Sequence, residues 1–347
     1  MRKILPFKQP LAYGYQFYAF PLGILAVYPK ASEWVLSNYI QLVYEYTDQS
    51  VSVPFSFYVY DYSVSPWLQT LRLNRQWCSS RNGRVNDIVR EAIGKDFYVY
   101  LSLNERYVPQ RIAYGGRKDW VHDALIYGID DETNTFELYG YDERMKFRST
   151  QISQDDLARA YYDTGDEPFY DVPFTMYRFD DAGAYSFDLG FVCQGIVEYL
   201  DSFNTSTHFQ AQRDPWDRAY GLKTYDLLDA HLDGYGRGVI RYDPRNVQVL
   251  WEHKRMMVAR MRRCAELIPA VGDIVKQYES VERQAWMLRA LTIAHQTGYD
   301  RGDFRAQASS LLRRIRAAEE GLLGRFALEL ERGGPPRATQ TAPSSCK

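Results

Sequence analysis

This chain has few of the features that assign a protein directly. Its 347 residues include four cysteines, Cys78, Cys193, Cys264 and Cys346, with no CxxC among them, which removes both a disulfide framework and the usual zinc spacing. Neither HxH nor HExxH occurs. Glu105, Asp119 and Asp123 beside His122 therefore lack the pattern of a metal site, and no metal or cofactor is expected. Charge of one sign is also lacking. With 42 Lys and Arg against 44 Asp and Glu, the net charge of −2 gives no reason to expect nucleic acid. The apolar run at 22–28 is stopped by Pro29 and is too short for a signal core or a bilayer span. A reduced cytoplasmic protein away from the membrane is the resulting expectation, and without a secretion signal Asn204-Thr205-Ser206 is a glycosylation acceptor in spelling only.

What is present is the material of a large core: 46% of residues are hydrophobic and 15% aromatic. Ser32 is expected to cap a helix reaching to about Tyr46. Residues 85–93 read as a second helix closed by Gly94, and 97–103 (FYVYLSL) as a buried strand. A hairpin then covers 120–143, Ser153 begins a short helix to about Tyr161, and 174–179 is strand-like. The predicted class is α+β with a mainly antiparallel sheet. Its core is placed at 1–165 and completed by 166–242.

Beyond Asp243-Pro244 the period changes. Val247, Leu250, Met257, Met261, Cys264 and Ile268 recur at helical spacing with Lys254 as the polar exception. The pattern resumes after Pro269, and again after Gly302 with Phe304, Ala308, Leu311, Ile315, Ala318 and Leu322. An antiparallel three-helix bundle over 243–332 follows. Residues 244–332 carry 16 basic and 11 acidic side chains, so the bundle is the candidate face for an acidic partner. The tail at 333–347 is rich in Pro, Ser and Thr and is expected to be disordered.

The hairpin carries the best functional signal. If Asp131-Glu132-Thr133 forms a three-residue loop, His122 faces Asp142 with Cβ atoms about 5 Å apart. A carboxylate facing an imidazole is the orienter-and-base half of a nucleophilic triad, or else a plain contact at a sheet edge. The stretches YVYLSLNERYVP (98–109), HDALIYGIDD (122–131), FELYGYDE (136–143) and LWEHKRMMVARM (250–261) resemble the family of butirosin biosynthesis protein H and its larger relatives in peptide antibiotic clusters. The similarity runs from about residue 20 to 330. It implies a papain-like, peptidase C39-like fold used for acyl transfer, with His122 and Asp142 in the places of the family's histidine and aspartate. It also implies partners: an acyl or peptidyl carrier protein bearing a phosphopantetheine thioester, and a small-molecule amine acceptor.

Such a triad needs a thiol at the N-terminal end of the first long helix, where the helix dipole and an imidazolium lower its pKa. The stretch from Tyr13 to Phe20 has none. Cys78, within RQWCSSR, is the remaining candidate nucleophile, because Cys193 and Cys264 fall on apolar stripes and Cys346 lies in the tail. Three readings follow. One is an acyl- or aminoacyltransferase with His122 as base, attacking through Cys78 or directly through the amine. The second is a non-catalytic scaffold or carrier-protein-binding partner of a nonribosomal peptide or polyketide assembly line. The third is a peptidase, which would also need an activated thiol.

Overall fold

Aromatic and β-branched side chains crowd 98–104, and in the computed structural model this stretch is a buried strand near the middle of a sheet. The structure describes residues 2–46, 53–75, 78, 84–164, 174–209, 215–241, 243–299 and 302–333. They fall into two compact units, one of Met1–Trp34 and Asp61–Tyr185, the other of Val35–Tyr60 and Ser186–Lys347. This differs from the linear division expected. Residues 35–60 and 186–242 belong with the C-terminal helices, whereas 174–179 adds a strand to the first sheet, as a segment completing the core would. The tail from 334 onward lies outside the described residues.

The first unit is built on a seven-stranded sheet containing β1 (Arg2–Ile4), β2 (Leu68–Leu73), β3 (Tyr98–Asn104), β4 (Val121–Asp130), β5 (Thr135–Tyr141), β6 (Phe147–Ser153) and β7 (Phe174–Phe179). The order is β2-β7-β3-β4-β5-β6, every pairing is antiparallel, and β1 pairs with the far half of β4. This establishes the mixed α+β class with an antiparallel sheet. Helix α1 (Gln16–Leu25) packs against β4 and β7, whereas α2 (Val85–Gly94) and α3 (Gln154–Tyr162) pack on β3 and on each other. Every residue of α1 except Phe17 is buried, so the apolar run at 22–28 enters a helix that is apolar nearly all round. Ser153 caps α3 as expected, accepting from the Asp156 N–H at 3.0 Å.

In the second unit the helix expected to reach Tyr46 stops at Asn38, and Leu42–Tyr44 becomes a strand between Phe55–Phe57 and Ala219–Tyr220. Two buried side chains fix this break. Arg260 donates to the carbonyls of Leu36 (2.6 Å) and Tyr39 (2.7 Å), closing the short helix, and His253 hydrogen-bonds the Ile40 carbonyl at 2.8 Å. Among the described residues, five α-helices make up most of the rest: α4 (Leu189–Leu200), α5 (Thr224–Gly236), α6 (Arg245–Leu267), α7 (Gly272–Gln296) and α8 (Phe304–Gly333). The three long ones are α6 to α8, and α8 also packs on α4 and α5. Among the described residues no helix is long and apolar enough to cross a membrane.

The polar exception at Lys254 has a partner. Its ammonium lies 2.8 Å from both carboxylate oxygens of Glu319, which also accepts from Tyr199 (2.9 Å), Tyr225 (2.7 Å) and Tyr278. Lys254, Glu319 and His253 are all fully buried. The phase of α8 is shifted accordingly: Glu319 and Leu323 face inward where Ala318 and Leu322 were expected, because an apolar pattern sends a glutamate to solvent unless its partner is known.

His253 donates through Nε2 to Ile40 and receives Lys254 at Nδ1 (3.0 Å), a neutral tautomer. Burial, and then the neighbouring Lys254 and Arg260 charges, hold its pKa well below the ordinary value. The unfolded chain therefore takes up this proton first. Stability is full above the unfolded value of about 6.5 and falls as the pH drops below it. His231, also lowered by burial, acts with the same sign. Melting temperature should decline from pH 7 to pH 5, and His253→Gln should flatten the decline. A profile unchanged by that substitution removes His253 as a cause.

Candidate functional site

His122 is the second residue of β4. There the strand pairs with β3, His122 opposite Leu103 and Asp123 opposite Ser102. The expected facing of His122 and Asp142 does not form. The hairpin loop has four residues, between the pair Asp130 and Thr135, with Asn134 at a φ of 56°. A bulge between Ile126 and Gly128 absorbs the extra residue, so Leu125 does face Tyr139 as a three-residue loop would have it. Pairing of β4 with β5 ends at that point, three residues short of His122.

Asp142 lies past the end of β5, in the turn to β6, where it is buried. Its Oδ1 accepts from the N–H groups of Arg144 and Lys146, both at 2.8 Å, and its Oδ2 from Arg148. Burial pushes this carboxyl upward, but the bonds to Lys146, Arg148 and Arg144 outweigh it, and the pKa lies below the ordinary carboxylate value. Asp142 closes a turn rather than orienting the imidazole.

The partner of His122 is Gln16, the first residue of α1. Its Nε2 lies 2.8 Å from His122 Nδ1 and donates to the Asp123 carbonyl at 2.9 Å, while its Oε1 accepts from the Tyr141 N–H at 3.0 Å. The Tyr141 bond fixes which end of the amide is oxygen. Both hydrogens of Nε2 are then accounted for, and His122 Nδ1 must be an acceptor with its proton on Nε2. Gln16 is buried, whereas the His122 side chain is 43% exposed. The place that a catalytic thiol requires, the N-terminus of the first long helix beside the histidine, is taken by a carboxamide with no nucleophilic lone pair to offer.

Two further acids flank the ring. Glu105 is buried with Oε1 3.9 Å from His122 Nδ1, and burial raises its pKa, opposed by the neighbouring His122 and Arg111. Asp123 accepts from Tyr100 at 2.9 Å and is likewise raised by burial. Asp119 is held elsewhere, by Asn104 (2.8 Å) and Arg106. No group of three His, Cys, Asp or Glu among the described residues is placed to hold a metal. Buried Arg111 bonds the Tyr141 carbonyl.

Cys78 is buried, and its burial raises the thiol pKa even though Arg75 opposes the shift. It is neither a solvent-exposed loop residue nor an activated thiol.

Sequence reasoning passed over Gln16, Arg111 and Gly140. Gln16 had left a trace, as the single amide or charged side chain between Tyr15 and Val27. Gly140 is required by close approach: a Cβ there would stand 2.5 Å from Gln16 Oε1 and 2.8 Å from the Arg111 guanidinium. Gly140→Ala should therefore cost about 1–3 kcal/mol, the usual penalty of forced overpacking. Urea unfolding measures it, and a loss inside experimental error would mean the amide and guanidinium can move aside freely.

Fold and site together define an α+β protein in which a sheet-end histidine is bound to a helix-terminal glutamine. Comparison with known protein families and with curated proteins finds no match.

Proposed function

We propose that this chain is a papain-like, peptidase C39-like protein of a biosynthetic assembly line that binds an acyl or peptidyl carrier protein without transferring its acyl group. The observation that carries the reading is Gln16. It stands at the helix N-terminus beside His122, saturated by three hydrogen bonds, where cysteine chemistry needs a thiolate. The remaining candidate, Cys78, is buried with its pKa raised. The resemblance to the butirosin biosynthesis protein H family supplies the carrier protein and the nonribosomal peptide or polyketide setting.

The transferase reading rests on the exposure of the His122 ring. It would have His122 deprotonate an amine that attacks the thioester directly. It requires Gln16 to give up Nδ1, since Nε2 already carries the proton.

Intact-mass spectrometry of the protein mixed with acyl-loaded carrier protein and candidate amines separates the two. The binding reading expects a complex, no covalent acyl adduct on the chain and no amide product. Amide formation lost in His122→Ala would establish transfer instead, and an adduct lost in Cys78→Ala would establish a thioester intermediate.

A further inference from the structure

We infer that the end of the first unit's sheet around His122 is a docking surface for an acidic, amphipathic segment of a partner protein. The inference rests on the binding reading above and names the surface that would carry it.

Two loops meet at this end, residues 105–120 leaving β3 and residues 142–146 leaving β5, joined by the hydrogen bond from the Glu143 N–H to the Gln110 carbonyl at 2.9 Å. They carry four large apolar side chains in water: Ile112 is 66% exposed, Tyr114 56%, Trp120 54% and Met145 58%. Exposed large apolar residues clustered at one place mark interaction sites, whereas scattered single ones are ordinary. Aromatic residues and Met are also the types enriched at protein interfaces.

The charges around them name the sign of the partner. Arg117, Lys118, Arg144 and Lys146 are exposed, and the one exposed carboxylate of these loops among the described residues is Glu143. The helical bundle differs, although its composition is basic. Arg262 is paired with Glu279 at 2.7 Å, and Arg305 and Arg316 with Asp233 and Asp226 of α5, each at 2.5 Å. Asp226 and Asp233, outside the 244–332 segment, thus answer part of its surplus, whereas the two loops carry four exposed cations to one exposed carboxylate, Glu143, which pairs with Arg144 at 3.9 Å. Such charge steers an acidic partner and fixes its register, while the apolar side chains supply the contact area.

The loops are also held in place. Glu105 N–H bonds the Trp120 carbonyl at 2.8 Å and so closes the longer loop at its base. Gln110 (φ 60°) and Met145 (φ 57°) both occupy the left-handed region that side chains other than glycine rarely adopt. Backbone held in this way is characteristic of binding sites that are formed before the partner arrives.

The test uses the full chain and two probes: an acidic carrier protein loaded with phosphopantetheine, and a synthetic helical peptide with Glu on one face and Leu on the other. Binding is followed by calorimetry and by Trp fluorescence. Reversing Arg117, Lys118, Arg144 and Lys146 to Glu should weaken binding by about tenfold or more and flatten its salt dependence. Trp120→Ala should weaken it by about tenfold with the salt dependence kept. The control Arg313→Glu/Arg314→Glu, on the bundle, should change nothing. All of these side chains are exposed, and unchanged melting temperatures confirm that the variants fold.

Carrier binding that survives the reversal, or that fails in the bundle control, overturns the surface and leaves the binding reading intact. Peptide binding that depends on the loops, with no carrier binding, upholds the surface and removes the carrier protein from the functional reading. Binding of neither probe overturns the surface, as does tighter loop-dependent binding of a single-stranded oligonucleotide.

Discussion

Lys254→Met is expected to lower the free energy of unfolding by about 3–5 kcal/mol, the range found when one member of a buried ion pair is removed. The ammonium and the Glu319 carboxylate have no exposed surface, so no water replaces the lost partner. Burial lowers the Lys254 pKa, and the charge and hydrogen bonds of Glu319 oppose that shift. Taking the lysine away leaves a carboxylate whose donors among the described residues are the hydroxyls of Tyr199, Tyr225 and Tyr278. Those hydroxyls soften the loss but do not cancel a charge. Domains typically have about 5–15 kcal/mol of stability in total, so a substitution at one position should consume much of it. Glu319→Leu should be comparably damaging, because it takes the acceptor from three tyrosine hydroxyls and leaves the ammonium without its counter-charge. Urea unfolding of both single variants and of the double variant closes the cycle. The double variant should fall well short of the sum of the singles, and simple additivity would show that the pair is not coupled.

Gln16→Cys should give the chain a reactive thiol. The new Sγ would sit at the first residue of α1, two bonds short of the Gln16 Nε2 that meets His122 Nδ1, where the helix dipole and a nearby imidazolium stabilise a thiolate and bring its pKa into the range of about 3.5–7.5. Wild type supplies a quiet background: Cys78, Cys193 and Cys264 are buried, and burial pushes the Cys264 thiol up to about 12. In a Cys346→Ser background at pH 6, iodoacetamide should label Gln16→Cys about tenfold to a hundredfold faster than it labels any native cysteine. Adding His122→Ala should remove most of that gain. Labelling of the introduced thiol no faster than an unactivated one would mean that this end of the sheet is not built for thiolate chemistry, and the papain-like reading would lose its strongest support.

A one-residue miscount shows how the sequence misled at this site. The loop is four residues long, not three, yet a bulge at Tyr127 restores the expected facing of Leu125 and Tyr139. Periodicity was right for the middle of the hairpin and silent on where pairing stops. His122 therefore left Asp142 and joined a residue 106 positions away, a contact that no local spacing encodes. Asp142, in turn, was drawn into closing its own turn with Arg144, Lys146 and Arg148, a local competition that a carboxylate after a strand commonly wins.

By itself the sequence determined the α+β class, a strand at 97–103 that forms one residue later, the hairpin, the capped helix after Ser153 and three long helices after Asp243. These follow from side-chain period, capping and turn residues, all read within a dozen positions of one another. The sequence also established that Tyr13 to Phe20 holds no thiol. Only the tertiary structure decided that Gln16 fills that place, that Lys254 and Glu319 share the core of the second unit, and that residues 35–60 leave the first unit for the helices. Each of these depends on polar groups far apart in the chain meeting where water is excluded. Burial makes such a meeting obligatory, since an unpaired polar group there is costly, but the chain's local pattern does not say which partner will be found.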